Sequence, residues 1–408
     1  MNILMVTHYF DSHGGGVELV ARRIFRGLAT SQDRMVWAAA DVSAAPEEGP
    51  HSGSLRLQTW NAVERFTGVP FPVPSLRALR KLQSAVRGAD LLLLHDCLYL
   101  SNIAAYLFAW MRGIPVLIVQ HIGIVPYKNR ILRGVMSLAN AIITRPMLSS
   151  AQQVVFISDT TKRYFSSLRF SRPVITIFNG VDCDTFRPPR HDENRLEIRE
   201  RLRLPREKPV ALFVGRFVPK KGLAILRKMA VREPGITWAF AGTGPLDPAA
   251  WGLGNVRVFS DLHDAGLAEL YRASDVFVLP SMGEGFPLVL QEALASGLPL
   301  VCGSDTAGAD QAFIQFARGV DLAKDDDELS ATRFLAGVNE VLSTTTSAAA
   351  AQRQYEFARA RYSWQVALRR YFEAASALVS EFHPAQVTAN PAKVRSAYAA
   401  GNTTQGQV

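Results

Sequence analysis

DVFVLPSMGEGFPLVLQEALASGLPLV, residues 275–301, carries the alternation on which the fold turns. Its first part, 275–279, is an apolar run short enough for a buried strand, closed by Pro280. A turn then leads to Pro287, a residue type favoured in the first helical turn, where the helix is expected to begin. The helical pattern stops at Gly297, a good C-cap residue. A strand C-terminus feeding a helix N-terminus is where open α/β sheets bind ligands. The free amides and positive dipole end there suit phosphate. Glu284 lies just before this helix and Glu292 within it. Two carboxylates flanking an anion site imply a ligand with both phosphates and hydroxyls, such as a nucleotide sugar.

The same order recurs outward from this stretch. Apolar runs at 2–7, 35–40, 91–94, 115–119 and 153–157 alternate with helical patterns, and those at 210–214, 237–241 and 256–259 repeat the plan. Strands alternating with helices imply parallel sheets with right-handed crossovers. Between the halves lies RPPRHDENRLEIRERLRLPREKP, highly charged and proline-bounded, which reads as a linker with a short helix. The expected organisation is a first domain at 1–187, a linker at 188–208, a second domain at 209–361 and an amphipathic helix at 362–383. That helix places Trp364, Leu368, Tyr371, Phe372, Ala375 and Val379 on one side. Residues 384–408 lose apolar periodicity and are expected to form a disordered tail.

Composition narrows the class. A chain of 408 residues is long enough for two domains, and 48% hydrophobic content is ordinary for an α/β protein. Cys97, Cys183 and Cys302 are widely spaced, which disfavours a disulfide framework or zinc site and makes a reducing cytoplasm the expectation. The start MNILMVTHYF reads as a strand, without the basic region of a secretory leader. No apolar run reaches the roughly 18 residues of a membrane span. Residues 1–187 hold 20 Lys and Arg against 12 Asp and Glu, whereas the remainder is nearly balanced. A basic first half suits an anionic partner such as a membrane surface, an acidic glycan or a phosphorylated lipid; a merely solvated surface explains it equally well.

Particular residues carry candidate chemistry. GRFVPKKG, residues 215–222, follows a strand and opens a helix. Arg216 and Lys221, bracketed by Gly215 and Gly222, suit a diphosphate, Arg216 as a bidentate donor and Lys221 as a point charge. The alternative is two more cations on a surface turn. Ionised Glu292 can accept from both hydroxyls of a ribose, and Glu284 from sugar hydroxyls. The bland alternatives are dipole compensation for Glu284 and plain surface for Glu292. The run 14–16 lets backbone approach a ligand or forms a flexible loop. It departs from the dinucleotide fingerprint because Leu19 occupies the third glycine position, which disfavours hydride transfer. His121, after the run ending at Gln120, either faces a ligand in an interdomain cleft or is a core or surface histidine. His8, His13 and His95 lie at similar strand ends or loops. Asp182 and Asp184 read as turn formers and 325–328 as a solvated helix start, so no metal site is expected.

Taken together, these pieces resemble the family 4 glycosyltransferases, retaining enzymes of the GT-B fold. The matching motifs are GGVE (15–18), His121 after its strand, FISDTTK (156–162), NGVDCDTF (179–186), GRFVPKKG, AGTGPL (241–246), ASDVFVLPS (273–281) and the pair Glu284 and Glu292. The resemblance implies two Rossmann-like domains facing a central cleft, with the terminal helix crossing back to the first. It implies a donor site mainly in the second domain. There Gly215, Arg216 and Lys221 meet the diphosphate, Glu292 the ribose, and Glu284 with Gly285, Phe286, Pro287 and Leu288 the donor sugar and phosphates. His121, Gly15 and Gly16 would come from the acceptor-binding first domain. Glu284, His121, Arg216 and Lys221 are the implied catalytic set. After Cys302 the text GSDTAGADQAF departs from the family's usual glycine-rich stretch with a proline and glutamate.

The expectation is therefore a cytoplasmic, metal-independent, retaining glycosyltransferase. It would move a sugar from a UDP- or GDP-linked donor to a glycan or lipid-linked acceptor in cell-surface polysaccharide assembly. No other cofactor and no nucleic acid is expected, and peripheral contact with an anionic membrane fits the basic first half. A GT-B nucleotide-sugar epimerase and a non-catalytic sugar-nucleotide-binding protein are the rival readings.

Overall fold

Runs of Leu, Val and Ile become buried parallel strands because helices cover both faces of the sheets they form. A computed structural model describes residues 1–30, 33–61, 71–123, 130–344 and 347–383. The expected tail lies outside the described residues. The first sheet is built from β1 (Asn2–Val6), β2 (Arg34–Ala40), β3 (Ser52–Leu57), β6 (Leu91–His95), β7 (Val116–Gln120), β8 (Gln153–Phe156) and β9 (Ile175–Thr176). A small antiparallel ribbon joins β4 (Thr59–Trp60) to β5 (Val73–Pro74). The second sheet comprises β10 (Val210–Val214), β11 (Thr237–Ala241), β12 (Val256–Phe259), β13 (Val276–Leu279), β14 (Leu300–Gly303) and β15 (Ala317–Val320).

The strand orders explain where a ligand can sit. The seven-stranded sheet runs β3-β2-β1-β6-β7-β8-β9 and the six-stranded sheet β12-β11-β10-β13-β14-β15, with parallel pairing throughout. In each, the order reverses direction beside the first strand, between β1 and β6 and between β10 and β13. Such switch points leave a crevice outside the strand C-termini. The loops after β1, β6, β10 and β13 carry His8, Asp96, Arg216 and Glu284, so the candidate residues cluster for a topological reason.

The domain boundary differs from the sequence expectation. Ile177 packs in the first domain, whereas Phe178, Val181, Cys183 and Phe186 already belong to the core of the second. The charged stretch read as a linker at 188–208 is also part of the second domain. Asn194 caps the helix Arg195–Arg201, and Ile198 and Leu204 are buried. Arg195 and Arg199 each donate to Asp275 at 2.6 Å, and the Val210 amide donates to the same carboxylate at 2.7 Å. One aspartate thus pins the charged helix to the starts of β10 and β13, and β13 itself begins one residue later, at Val276.

The chain returns to the first domain at a second crossing beside the first. The Val181 amide donates to the Tyr362 carbonyl at 2.7 Å, and the Trp364 amide to the Val181 carbonyl at 3.3 Å. Helix Ala348–Tyr362 ends there, and Ser363 caps the next, Trp364–Phe382. Ala367, Tyr371, Ala375, Leu378 and Val379 of this last helix are buried with Val20, Ile24 and Leu28 of the first domain.

Gly180 lies directly under Trp364 at the crossing, where an added Cβ would come within 2.2 Å of the indole. Gly180→Ala should cost about 1–3 kcal/mol through overpacking. The same change should cost less in a Trp364→Ala background, as read by urea unfolding of the two singles and the double. Equal costs in both backgrounds would show that the indole does not set the requirement for glycine.

Candidate functional site

Two loops of the second domain interlock beneath the crevice. After β10 the chain makes a tight turn, Pro219–Lys221, that ends at Gly222 with φ +77°. A side chain there would be strained, and its Cβ would lie 2.3 Å from the Pro280 carbonyl oxygen. The Met282 amide donates to the Lys220 carbonyl at 3.0 Å, which fixes the loop after β13 against this turn. Lys221 Nζ consequently lies 3.1 Å from Glu284 Oε1, with Lys220 Nζ 3.8 Å away. Arg216 is exposed and forms no ion pair among the described residues. The arrangement pairs two lysines with one carboxylate and leaves a guanidinium free for an incoming anion.

The helix that follows is Leu288–Ala295. Pro287 does not begin it as the sequence suggested. With ψ 135° it is the extended N-cap residue, and the turn before it folds the chain toward the first domain. At the other end the Gly297 amide bonds Leu294 and the Leu298 amide bonds Ala293, both at 3.0 Å, and Gly297 has φ +69°. This is a Schellman termination, as the glycine indicated. Phe286 turns its ring into an aromatic cluster with Phe178, Phe313 and Tyr362, so only its backbone is available to a ligand.

Glu292 is half-buried, and its Oε2 accepts from the Tyr271 hydroxyl at 2.9 Å. Burial raises its carboxyl to about 7, opposed by the tyrosine bond and reinforced by Asp264. The tyrosine that holds Glu292 sits on the helix before β13 and was not singled out from sequence.

The first domain contributes a buried polar cluster at the ends of β1, β6 and β7. His8 Nε2 lies 2.9 Å from Glu18 Oε1, and the His8 ring stacks on Tyr99 with centroids 4.0 Å apart. The Glu18 carboxylate folds back under Gly15, where a Cβ would come within 2.1 Å of it. Gly15 leaves room for the Glu18 carboxylate as it stands, so a side chain there would require Glu18 to move. Nothing lies within 4 Å of a Cβ built at Gly16. His121 Nε2 is 2.8 Å from His95 Nδ1, and the His121 amide donates to Asp96 Oδ1 at 2.8 Å. His121 is thus largely buried, and its Nε2 and backbone amide are held within a hydrogen-bonded group. Asp96 adopts φ +61°, a strained value for a non-glycine residue at a ligand-facing strand end. Glu18, Asp96 and the pairing of His95 were missed from sequence. A carboxylate two positions beyond the wholly apolar run LLLL, after His95, was the available signal for Asp96.

The halves meet over this cluster. A Cβ at Gly285 would lie 3.1 Å from the His121 carbonyl oxygen and 3.3 Å from Ile157. The Asp159 amide donates to the Ala309 carbonyl at 2.7 Å, and Arg163 to the Gly308 carbonyl at 2.9 Å. Asp182 Oδ1 accepts from the amides of Asp184 and Thr185 at 3.2 and 3.3 Å, which accounts for that acidic pair as a turn. Asp326 caps the helix Asp327–Ser343 by accepting from Leu329 at 2.9 Å.

Two doubly wound parallel sheets, with switch points facing one crevice and a last helix that returns to the first sheet, define a GT-B protein. Residues 14–185 match the family model Glycosyltransferase Family 4, and residues 194–359 match Glycosyl transferases group 1. The chain belongs to the family 4 glycosyltransferases. A D-inositol 3-phosphate glycosyltransferase of Mycobacterium tuberculosis is 32% identical over 173 residues, which cover 38% of this chain and 34% of that protein. The match therefore spans about a third of that relative's length (34%). Among solved structures, sucrose-phosphate synthase from Thermosynechococcus elongatus aligns with a TM-score of 0.71 at 19% identity, over 93% of this chain and 100% of the other. HepE from Anabaena in complex with UDP-glucose aligns with a TM-score of 0.67 at 16% identity, over 92% and 100%. At these identities the two structures bear on the fold alone.

The raised carboxyl of Glu292 has a consequence for stability. A carboxyl that holds its proton more tightly when folded than its ordinary value near 4.5 loses stabilisation as pH rises from there to about 7. At about 1.4 kcal/mol per pKa unit the ceiling is about 3 kcal/mol. Glu292→Gln keeps an acceptor for Tyr271 and removes the charge. Thermal unfolding should show the variant more stable than wild type at pH 8, with the advantage shrinking toward pH 5. An advantage that grows toward pH 5 would contradict the burial argument.

Proposed function

We propose that this protein is a retaining glycosyltransferase that moves a sugar from a nucleoside diphosphate sugar, UDP- or GDP-linked, to a hydroxyl of a glycan or lipid-linked acceptor. The observation that carries the reading is the junction itself. Lys221 and Glu284 are paired at the mouth of the Leu288–Ala295 helix, where the Gly285 loop touches the His121 carbonyl. Arg216 and Lys221 meet the diphosphate, together with the amides that the first helical turn leaves without intrahelical partners. Binding of that anion competes with Glu284 for Lys221 and frees the carboxylate to accept sugar hydroxyls. Glu292, in its ionised form, accepts from the ribose hydroxyls.

In the transfer step the acceptor oxygen bonds to the anomeric carbon on the face from which the diphosphate departs. The anomeric carbon–oxygen bond to phosphate breaks, and the acceptor proton passes to the departing phosphate oxygen. Cations and amides already in place stabilise the developing charge without reorganisation, so the step proceeds without a metal ion. Glu284 grips the sugar and is not the attacking group.

The acceptor class is supported by the first domain's outer surface. Arg77, Arg80, Lys81 and Arg87 are exposed on the helix Leu76–Arg87. On the segment after β7, Val135, Leu138 and Ile142 are 57, 61 and 62% exposed, beside exposed Arg133. Apolar side chains interspersed with cations suit the surface of an anionic bilayer. No described helix is long and apolar enough to cross one.

Lys221→Ala and Glu292→Ala should each lower transfer by about 100-fold or more, as loss of a single preorganised contact does, while EDTA leaves the wild-type rate unchanged. The assay is a screen of nucleotide sugars by thermal shift followed by product analysis. Full activity in either variant removes the site assignment, and formation of an epimeric nucleotide sugar from donor alone assigns the protein to the epimerases. Flotation with anionic liposomes should show binding that salt weakens. Absence of salt-sensitive binding removes the membrane contact and leaves the transfer reaction standing.

A further inference from the structure

The histidine pair beneath the junction contains more information than burial alone. His95 is fully buried and His121 is 5% exposed, and their rings meet through His95 Nδ1 and His121 Nε2 at 2.8 Å. At that separation one N–H lies between the two nitrogens, and either ring can supply it. Around the pair stand Asp96 from the same strand end, His8 after β1, Glu18 from the helix Gly16–Leu28 and Tyr99 after β6. Asp96 Oδ1 is used by the amides of His121 and Ile122, at 2.8 and 3.3 Å. Glu18 is held by His8. Neither carboxylate makes a hydrogen bond to the imidazole of His121 or of His95.

The remaining nitrogens decide the direction. His95 Nε2 is buried and has no hydrogen-bond partner. If His121 donated to His95, the proton of neutral His95 would have to sit on Nε2, as an unpaired N–H inside the core. If His95 donates, Nε2 is a bare lone pair. Orphaned buried N–H groups are the rarer and costlier of the two in folded proteins. Burial lowers the proton affinity of both rings, that of His95 strongly, so neither gains a second proton near neutrality. His121 then accepts at Nε2 and carries its proton on Nδ1, which makes no hydrogen bond among the described residues.

We infer that His95 is a positioning residue that fixes His121 as its Nδ1–H tautomer, so that His121 presents a hydrogen-bond donor to an oxygen of the substrate at the domain junction. The inference rests on the proposed transferase reading for the identity of that oxygen, but the tautomer itself is set by the protein's own side chains. Without His95 the ring is free to protonate on Nε2, and Nδ1 becomes an acceptor that faces a substrate oxygen with a lone pair. The nucleotide subsite of Arg216, Lys221 and Glu292 lies in the other domain and does not depend on this pair.

The experiment uses the full chain labelled with nitrogen-15 histidine. Long-range proton–nitrogen correlation spectra, with the His121 signals assigned by their loss in His121→Gln, should show Nδ1 protonated and Nε2 bare in the wild type. His95→Leu should shift His121 toward the Nε2–H form. His95→Asn, which places an amide nitrogen where Nδ1 stood, should restore the wild-type pattern. With an active donor, kcat should fall by about 100-fold in His95→Leu, the lower end of what a positioned acid–base group contributes. The KM for the nucleotide sugar should stay within about twofold, and the asparagine variant should recover most of the rate. A wild-type His121 protonated on Nε2 overturns the inference, as does a tautomer that His95→Leu leaves unchanged. A tautomer shift accompanied by an unchanged kcat overturns the catalytic half. Absence of transfer with every donor, alongside the expected spectra, counts against the transferase reading and not against the pairing.

Discussion

The short double crossing at Val181 and Ser363 is the constraint on which the rest depends. Two strands of chain pass between the domains side by side, joined by hydrogen bonds through the Val181 amide and carbonyl. Phe178 and Tyr362 belong to one core, while Ile177 and the helix beginning at Trp364 belong to the other. A connection this compact holds the two domains at a set spacing. The switch points of the two sheets then face each other, and loops from sequence positions far apart share one crevice.

Within that crevice, charge is balanced locally. Lys221 and Glu284 offset each other's charge at 3.1 Å, and across the junction His8 holds the Glu18 carboxylate at 2.9 Å. An anionic ligand therefore enters a site that is preorganised but not held open by net repulsion. Glu292 is the exception. Burial raises its carboxyl to about 7, so its charge is costly to keep until hydroxyl donors arrive. The loss of stability that follows is the kind of local cost that binding sites retain.

Much of the fold was readable because buried parallel strands write themselves as apolar runs. Val210–Val214, Thr237–Ala241 and Val256–Phe259 have the bounds read from their sequence. Ser52–Leu57 was overlooked since it is the edge of its sheet, where half-exposed Ser, Gly and Arg replace the apolar pattern. The charged stretch 188–208 misled for the opposite reason. Two of its arginines, Arg195 and Arg199, are held by Asp275, a partner roughly 80 residues away that no local pattern reveals.

Sequence by itself determined the class of fold, the motif-bearing loops and the residue types at the site, because strand–turn–helix periodicity, proline and glycine act locally. Tertiary structure alone decided which of those residues meet. It paired Lys221 with Glu284, turned the Phe286 ring into the core, gave Glu292 its tyrosine partner and set His95 against His121. Those outcomes depend on desolvation and on contacts between distant segments, and neither is a function of neighbours along the chain.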